Sequence, residues 1–168
     1  MPPLEPEILG RLYRRHAPAL RLYARQWSGS ADDLVQEAFV KLAQQSPPPT
    51  RVLPWLYSVV RNAGVAMDRA AVRRRRRQEA TSRPEAWFAK TDDLLAAQEA
   101  TRCLAELPLD LREVIIARLW GGLIFEEIAR LVNCSLPTVH RRYQAGLTQL
   151  RERLEGRWTR TPSPGTKI

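Results

Sequence analysis

The sequence predicts an all-α protein of two small helical domains joined by a linker. Three observations carry that reading. Apolar residues recur at steps of three and four along much of the 168-residue chain, the period of one-sided helices. Charge changes along it: residues 1–78 hold 14 basic and 6 acidic side chains (+8), residues 79–104 hold 3 and 5 (−2), and residues 105–168 hold 10 and 7 (+3). Two basic bodies are thus separated by a slightly acidic stretch. Finally, residues 125–154 read as a short helix, a tight break and a longer helix.

The first helix is expected over residues 5–27, with Ile8, Leu12, Ala19, Leu20 and Tyr23 as its core stripe, and Pro18 should kink or divide it. Ser28-Gly29-Ser30 breaks the chain, and Ser30 or Asp32 can cap a second helix running to about residue 45. Its inward positions are Leu34, Val35, Ala38, Phe39 and Leu42. Asp33 and Glu37 share a face, but no histidine or further carboxylate converges on them, and acidic residues suit a helix N-terminus. A solvated or partner-binding face fits better than a catalytic one.

The proline-rich stretch 46–50 is a stiff connector. A third helix follows over residues 54–77, with Leu56, Val59, Val60, Ala63, Met67 and Ala70 on one face and Ser58, Arg61, Asn62 and Arg69 on the opposite arc. It ends in five adjacent arginines from Arg73, a run of like charge that an anionic partner would neutralise. Trp55 and Tyr57 suit either the core or stacking on unpaired bases. Residues 78–91 read as a linker in which Trp87 and Phe88 could dock elsewhere. A fourth helix is expected over 92–107 and a fifth over 109–120, opened by Pro108 and ended by Gly121-Gly122.

In the helix pair beyond, Ile128, Leu131 and Val132 face inward from the first member, and Leu136, Val139, Tyr143, Leu147, Leu150 and Leu154 from the second. Ser135 is placed as an N-cap, with Pro137 in the first turn. The second helix turns Arg141, Gln144, Ala145 and Thr148 outward, flanked by Thr138 and His140, with Arg142 at the other margin. This is the helix-turn-helix arrangement for a DNA major groove, where Arg and Gln can read guanine and adenine edges, while Arg142 is better placed for phosphate. A plain helical hairpin is the competing reading. After Gly156 the tail has no period and is expected to be disordered.

The totals agree with a polyanionic partner, nucleic acid or an anionic surface: the net charge is +9 and the pI near 10.5, with the surplus almost all arginine. Cys103 and Cys134 stand far apart, and with His16 and His140 the only histidines no metal site is legible. No cofactor or catalytic residue is expected. Neither a signal peptide nor a membrane-spanning run is found, so the expected location is cytoplasmic, with no membrane partner.

Together these residues resemble the sigma-70 family of bacterial RNA polymerase initiation factors, and within it the extracytoplasmic-function (ECF) group. Asp32-Asp33-Leu34-Val35-Gln36-Glu37-Ala38-Phe39 resembles the family's polymerase-clamp helix. The stretch 54–62 followed by Met67-Asp68-Arg69 and the arginine run is similar to its −10 element helix, and residues 107–154 to its −35 reader. The resemblance implies a region 2-like domain over 1–78, a linker and leading helix over 79–104, a region 4-like domain over 105–154, and a tail over 155–168. It implies that Asp33, Gln36, Glu37 and Phe39 dock on core RNA polymerase. Asn62 becomes a candidate reader of a flipped −10 base in the non-template single strand, with Arg61, Trp55, Arg69 and Arg73 beside it. Thr138, His140, Arg141, Arg142 and Gln144 fall on the duplex −35 element. It also brings an anti-sigma factor into view, although no residue argues for one by itself.

The chain departs from the family pattern in places. The loop before Pro54 lacks the usual glycine and aromatic, Ile124 stands where a capping Ser or Thr is common, and His140-Arg141 replaces a usual Lys/Arg-Ser. Promoter sequence therefore cannot be carried over. Two rivals remain: a polymerase-independent helix-turn-helix regulator of an operator, which leaves the Asp33–Phe39 face without a role, and a DNA-processing enzyme, for which no nucleophile with a supporting constellation is found.

Overall fold

A proline followed by an acidic residue starts the chain's first helix. In the computed structural model, which describes residues 4–27, 29–75 and 94–158 (without the side chains of 75, 94–98 and 157–158), α1 spans Pro6–Ala24, with Glu7 in its first turn. Pro18 lies inside α1, and of the two expected effects, a kink or a division, division does not occur. Pro18 is exposed, so the Arg14 carbonyl that loses its partner lies on the solvent side of the helix, where water can satisfy it.

α2 spans Ala31–Gln44 and buries Leu34, Val35, Ala38, Phe39 and Leu42, the expected stripe. Ser30 stands at the N-cap without a side-chain capping hydrogen bond, while Asp32 and Asp33 occupy the first turn. Residues 45–51 are irregular. α3 spans Val52–Arg75 and buries Leu56, Tyr57 and Val60, but Met67, expected in the core, is exposed. Helices α1, α2 and α3 pack on one another.

The remaining helices are α4 (Leu94–Ala105), α5 (Leu109–Leu119), α6 (Phe125–Leu131) and α7 (Leu136–Trp158). All seven agree with the predicted series, and no strand occurs among the described residues. The expected docking of Trp87 and Phe88 and the chain beyond residue 158 lie outside the described residues, but α7 continues to Trp158, through the start of the tail expected from residue 155.

α5 organises the C-terminal half. Leu111, Glu113, Val114, Ile115, Ile116 and Ala117 are all buried, so it has no solvated face over that run. On one side Ile115 joins Leu104 and Leu107, with Tyr143, Leu147 and Leu150 of α7 packed against them. On the other side Val114, Ile116 and Ala117 join Leu20, Tyr23, Leu56, Tyr57 and Val60 in a core shared with α1 and α3. The two helical groups are therefore docked in this structure, through α1 on α5 and α3 on α6.

Two turns are set by backbone geometry. Gly122 takes φ 68° at the end of α5, and Asn133 takes φ 53° between α6 and α7, a region that Asn tolerates better than most side chains. Gly121 answers a different need: a Cβ there would lie 2.6 Å from the Tyr57 hydroxyl and 2.5 Å from the Ala117 carbonyl oxygen.

Candidate polymerase and nucleic-acid interfaces

On α2 the helical period separates a buried stripe from an outward face. Asp33, Gln36 and Glu37 are exposed, and Glu37 pairs with Lys41 at 2.9 Å. Asp32 is held by Arg21. Phe39, predicted to share the docking face, is instead buried, its ring edge-on to Tyr13 with centroids 5.0 Å apart. Its place in the inward stripe decides this, and it supports the face from beneath. Beside it an apolar groove of about 400 Å³ runs between α1 and α2, lined by Leu9, Tyr13, Gln36, Phe39 and Val40 among others.

On α3, Asn62, Arg69 and Arg73 are exposed, at spacings of seven and four that keep them on one side. Trp55 is half-buried near the N-terminus of the helix, where Ser58 donates to the Pro54 carbonyl at 3.0 Å. Arg61 departs from the expectation that it lies on the arc away from the core. Its guanidinium turns toward α5 and pairs with Glu113, with Nη2 donating to Oε2 at 3.5 Å and Nε bound closely to Oε1. The Tyr23 hydroxyl donates to the same carboxylate at 2.6 Å. Burial lowers the Arg61 pKa, but the hydrogen bond and charge of Glu113 outweigh it and hold the guanidinium above its usual value. Burial first, and Glu113 second, raise the Tyr23 phenol well above its ordinary range, so it remains a donor.

Glu113 escaped the sequence reading. Its one signal is a carboxylate set against the apolar run Val114-Ile115-Ile116, where a solvated helix would show polar positions on one side. A second ion pair across the same boundary, Arg51 with the buried Glu127, was also missed.

The α6–α7 pair has the expected helix-turn-helix form. Ser135 caps α7: its Oγ accepts from the Thr138 N–H at 3.3 Å and lies 2.8 Å from Thr138 Oγ1. Arg141 Nη2 in turn donates to Thr138 Oγ1 at 3.3 Å, so cap, threonine and arginine form one chain of contacts on the exposed side. His140, Arg141 and Gln144 are exposed and Thr138 is half-buried. The His140 ring lies over Phe125 with centroids 4.3 Å apart, and Phe125 also meets Tyr143 edge-on. Arg142 is half-buried and faces Asp110 at 3.6 Å. At the start of α6, Ile124 supplies no side-chain acceptor, and only the reverse half of a capping box is made, with Glu127 accepting from the Ile124 N–H at 3.0 Å.

Among the described residues no cluster of His, Cys, Asp or Glu could hold a metal, and no helix is long and apolar enough to cross a membrane. Cys103 is buried and Cys134 half-buried, and neither is in a disulfide.

Comparison with known proteins follows the same division. The family model for sigma-70 region 2 matches residues 12–81, and that for sigma-70 region 4 matches residues 97–150. The ECF RNA polymerase sigma factor EcfG of Rhodopseudomonas palustris (strain TIE-1) is 29% identical over 146 residues, covering 79% of this chain and 77% of its own. The RNA polymerase sigma factor CarQ of Myxococcus xanthus is 28% identical over 155 residues, with coverages of 85% and 87%. Among solved structures, the sigma factor RpoE in complex with the anti-sigma factor NepR, from Bartonella quintana, superposes with a TM-score of 0.69 at 26% identity, over 89% of this chain and 97% of that one. CnrH, solved with the cytosolic domain of CnrY, shares the fold at a TM-score of 0.60 and 21% identity, over 90% of each chain. With both sigma regions in order on one all-α chain, the protein belongs to the ECF group of the sigma-70 family: a non-enzymatic sigma factor that directs transcription initiation by RNA polymerase.

Proposed function

We propose that the three exposed faces divide the work of promoter-specific initiation. The α2 face of Asp33, Gln36 and Glu37, backed by Phe39, docks on core polymerase. The α3 arc of Asn62, Arg69 and Arg73, with Trp55 and Arg61, takes the unpaired non-template strand of the −10 element. There, unstacking of bases is offset by stacking and phosphate contacts. α7 lies in the major groove of the −35 duplex, with Thr138, His140, Arg141 and Gln144 toward base edges and Arg142 toward phosphate. All phosphodiester chemistry belongs to the polymerase.

The observation that carries this reading is the separation of chemistries among exposed faces: acid and amide on α2, arginine and amide on α3 and α7. An acidic face gives a protein partner a surface that DNA would be repelled from. The division 1–78, 79–104 and 105–154 is kept in this proposal with one adjustment: α4 packs on α7 and so moves with the C-terminal unit. An anti-sigma factor is proposed as a further partner, supported by the NepR complex of the Bartonella relative. The test is co-purification with core polymerase. A charge-reversed Asp33→Lys/Glu37→Lys chain should lose core while keeping its helical content, and retention of core at the unaltered level would refute the assignment of α2.

A further inference from the structure

Three helices of the C-terminal group meet at one ring. Phe125, the first residue of α6, is half-buried, and the guanidinium of Arg118 from α5 stands 4.8 Å from its centroid. From α7 come Tyr143, edge-on with centroids 5.1 Å apart, and His140, whose ring centroid lies 4.3 Å away at an interplanar angle of 40°. The ring under His140 is itself anchored. Glu127 accepts from the Ile124 N–H at 3.0 Å and so pins the first turn of α6, while Phe125 and Tyr143 both pack against the core. Arg118 is tied down in turn, its Nη1 donating to the Leu123 carbonyl at 2.9 Å.

His140 is nevertheless exposed, beside the exposed Arg141 and Gln144 on α7. An exposed imidazole on a helix ordinarily samples several rotamers, and a partner that binds it must first stop that motion. Arg141 is restrained from within its own helix, by Thr138 three residues back. His140 is restrained from another helix, by an anchored aromatic ring. With one face of the imidazole against Phe125, its edge and ring nitrogens are left for a partner. Hydrogen bonds from such an edge are directional, lying in the plane of the ring.

We propose that Phe125 is a positioning residue for −35 reading: it holds the His140 imidazole edge-on to the major groove, where a ring N–H donates to a guanine. Guanine presents two acceptors there, N7 and O6, so one N–H held in one orientation finds a partner on it. Arg118 supports the Phe125 ring from α5 by a cation–π contact, so discrimination at this position depends on three helices rather than on α7 alone. The proposal rests on the assignment of α7 to the −35 duplex.

Two experiments on the full chain test it. The first uses the free protein. His16 and His140 are the only histidines, so NMR shows the C–H resonances of two imidazoles, and His140→Ala assigns them. The ring current of Phe125 should displace those of His140. Phe125→Leu should return them to the ordinary imidazole position, and Phe125→Tyr should keep them displaced. Ordinary resonances for His140 in the parent chain overturn the proposal, and this arm holds even if Phe125→Leu fails to fold.

The second experiment selects promoters from a library randomised over the −35 element, using core polymerase reconstituted with each chain. The parent should enrich guanine at one position. His140→Ala should lower that enrichment about fivefold, the worth of one hydrogen bond. Phe125→Leu should lower it at the same position by about twofold, the cost of ordering one freed side chain. The double variant should lose no more than His140→Ala alone, because the phenyl ring acts through the imidazole. Phe125→Tyr should keep the parent preference. A merely structural role would reduce recovery of all sequences alike with the guanine preference kept, and that result overturns the proposal. Additive loss in the double variant overturns it too, as does enrichment of another base at the His140-dependent position. If the parent enriches no base at any upstream position, the assignment of α7 fails and the proposal with it. If His140→Ala abolishes a preference that Phe125→Leu keeps, α7 stands and the role of Phe125 alone is overturned.

Discussion

Gly121→Ala probes a close approach between the two helical groups. The added methyl would sit 2.6 Å from the Tyr57 hydroxyl and 2.5 Å from the Ala117 carbonyl oxygen, both well inside ordinary contact. Neither neighbour yields easily. The Tyr57 ring is fully buried, with the Tyr23 ring 4.8 Å away between centroids, and the Ala117 carbonyl already accepts the Leu123 N–H at 3.1 Å. Overpacking of this kind costs about 1–3 kcal/mol, which at 2–4 °C per kcal/mol lowers Tm by several degrees in a chain of this size. Circular dichroism melting and urea titration measure it. Parting the two helical groups relieves the Tyr57 contact but not the one with Ala117, so a loss of stability remains even in an opened chain. Tyr57→Phe removes the oxygen nearest the new methyl, and that oxygen is buried and unpaired, so this change alone should be close to neutral and the double variant should recover part of the loss. A Gly121→Ala protein within about 0.5 kcal/mol of the parent would show that the site at Gly121 has room for a methyl group.

Four further outcomes are expected. Ser135→Ala removes the cap of α7 and should cost about 1 kcal/mol in urea titration, while also loosening Thr138 and Arg141 and weakening discrimination among −35 duplexes. Arg141→Ala should change sequence preference across a promoter library, whereas Arg142→Ala should lower binding to all sequences alike; equal losses everywhere for both would defeat the division. Asn133→Gly should leave stability unchanged or slightly better, while Asn133→Val should lose about 1–2 kcal/mol because φ is 53° there, as a denaturation series would show. Burial first, and the charge of Arg15 second, lower the pKa of His16 below 6.5. The unfolded chain then takes up its proton first, so stability is pH-independent on this account above 6.5 and falls as pH drops from there toward the lowered folded value, a slope that His16→Gln should remove.

Most of the helices were legible because each is decided by its own period and ends. α2 and α5 begin and end within about two residues of the positions read from apolar spacing. The helix-turn-helix begins where expected, although α7 runs on to Trp158, past the expected end at 154, and the Ser135 cap is where its neighbours Leu136 and Pro137 place it. Which of its two expected effects Pro18 has depends on whether the carbonyl it leaves behind faces water, which only the packed helix reveals; there the helix stays undivided. Phe39 appeared both in the core stripe of α2 and in its docking motif, and the packing on Tyr13 resolves the conflict in favour of the core. Arg61 was placed on a solvent arc because a helical wheel describes one helix and not what lies across from it. Its partner Glu113 is 52 residues away, and Tyr23 reaches that carboxylate across 90. Contacts at such separations leave no local pattern, so the docking of the two helical groups could not have been foreseen from periodicity or charge.

Transcript mapping tests whether the chain directs RNA polymerase to promoters. Purified chain is added to core RNA polymerase on genomic templates, and the 5′ ends of the transcripts are mapped. Discrete start sites should appear only with the chain present, share sequence near −10 and −35, and weaken when Asn62 or Arg141 is replaced by alanine. A chain that neither binds core nor produces start sites beyond those of core alone would contradict that role.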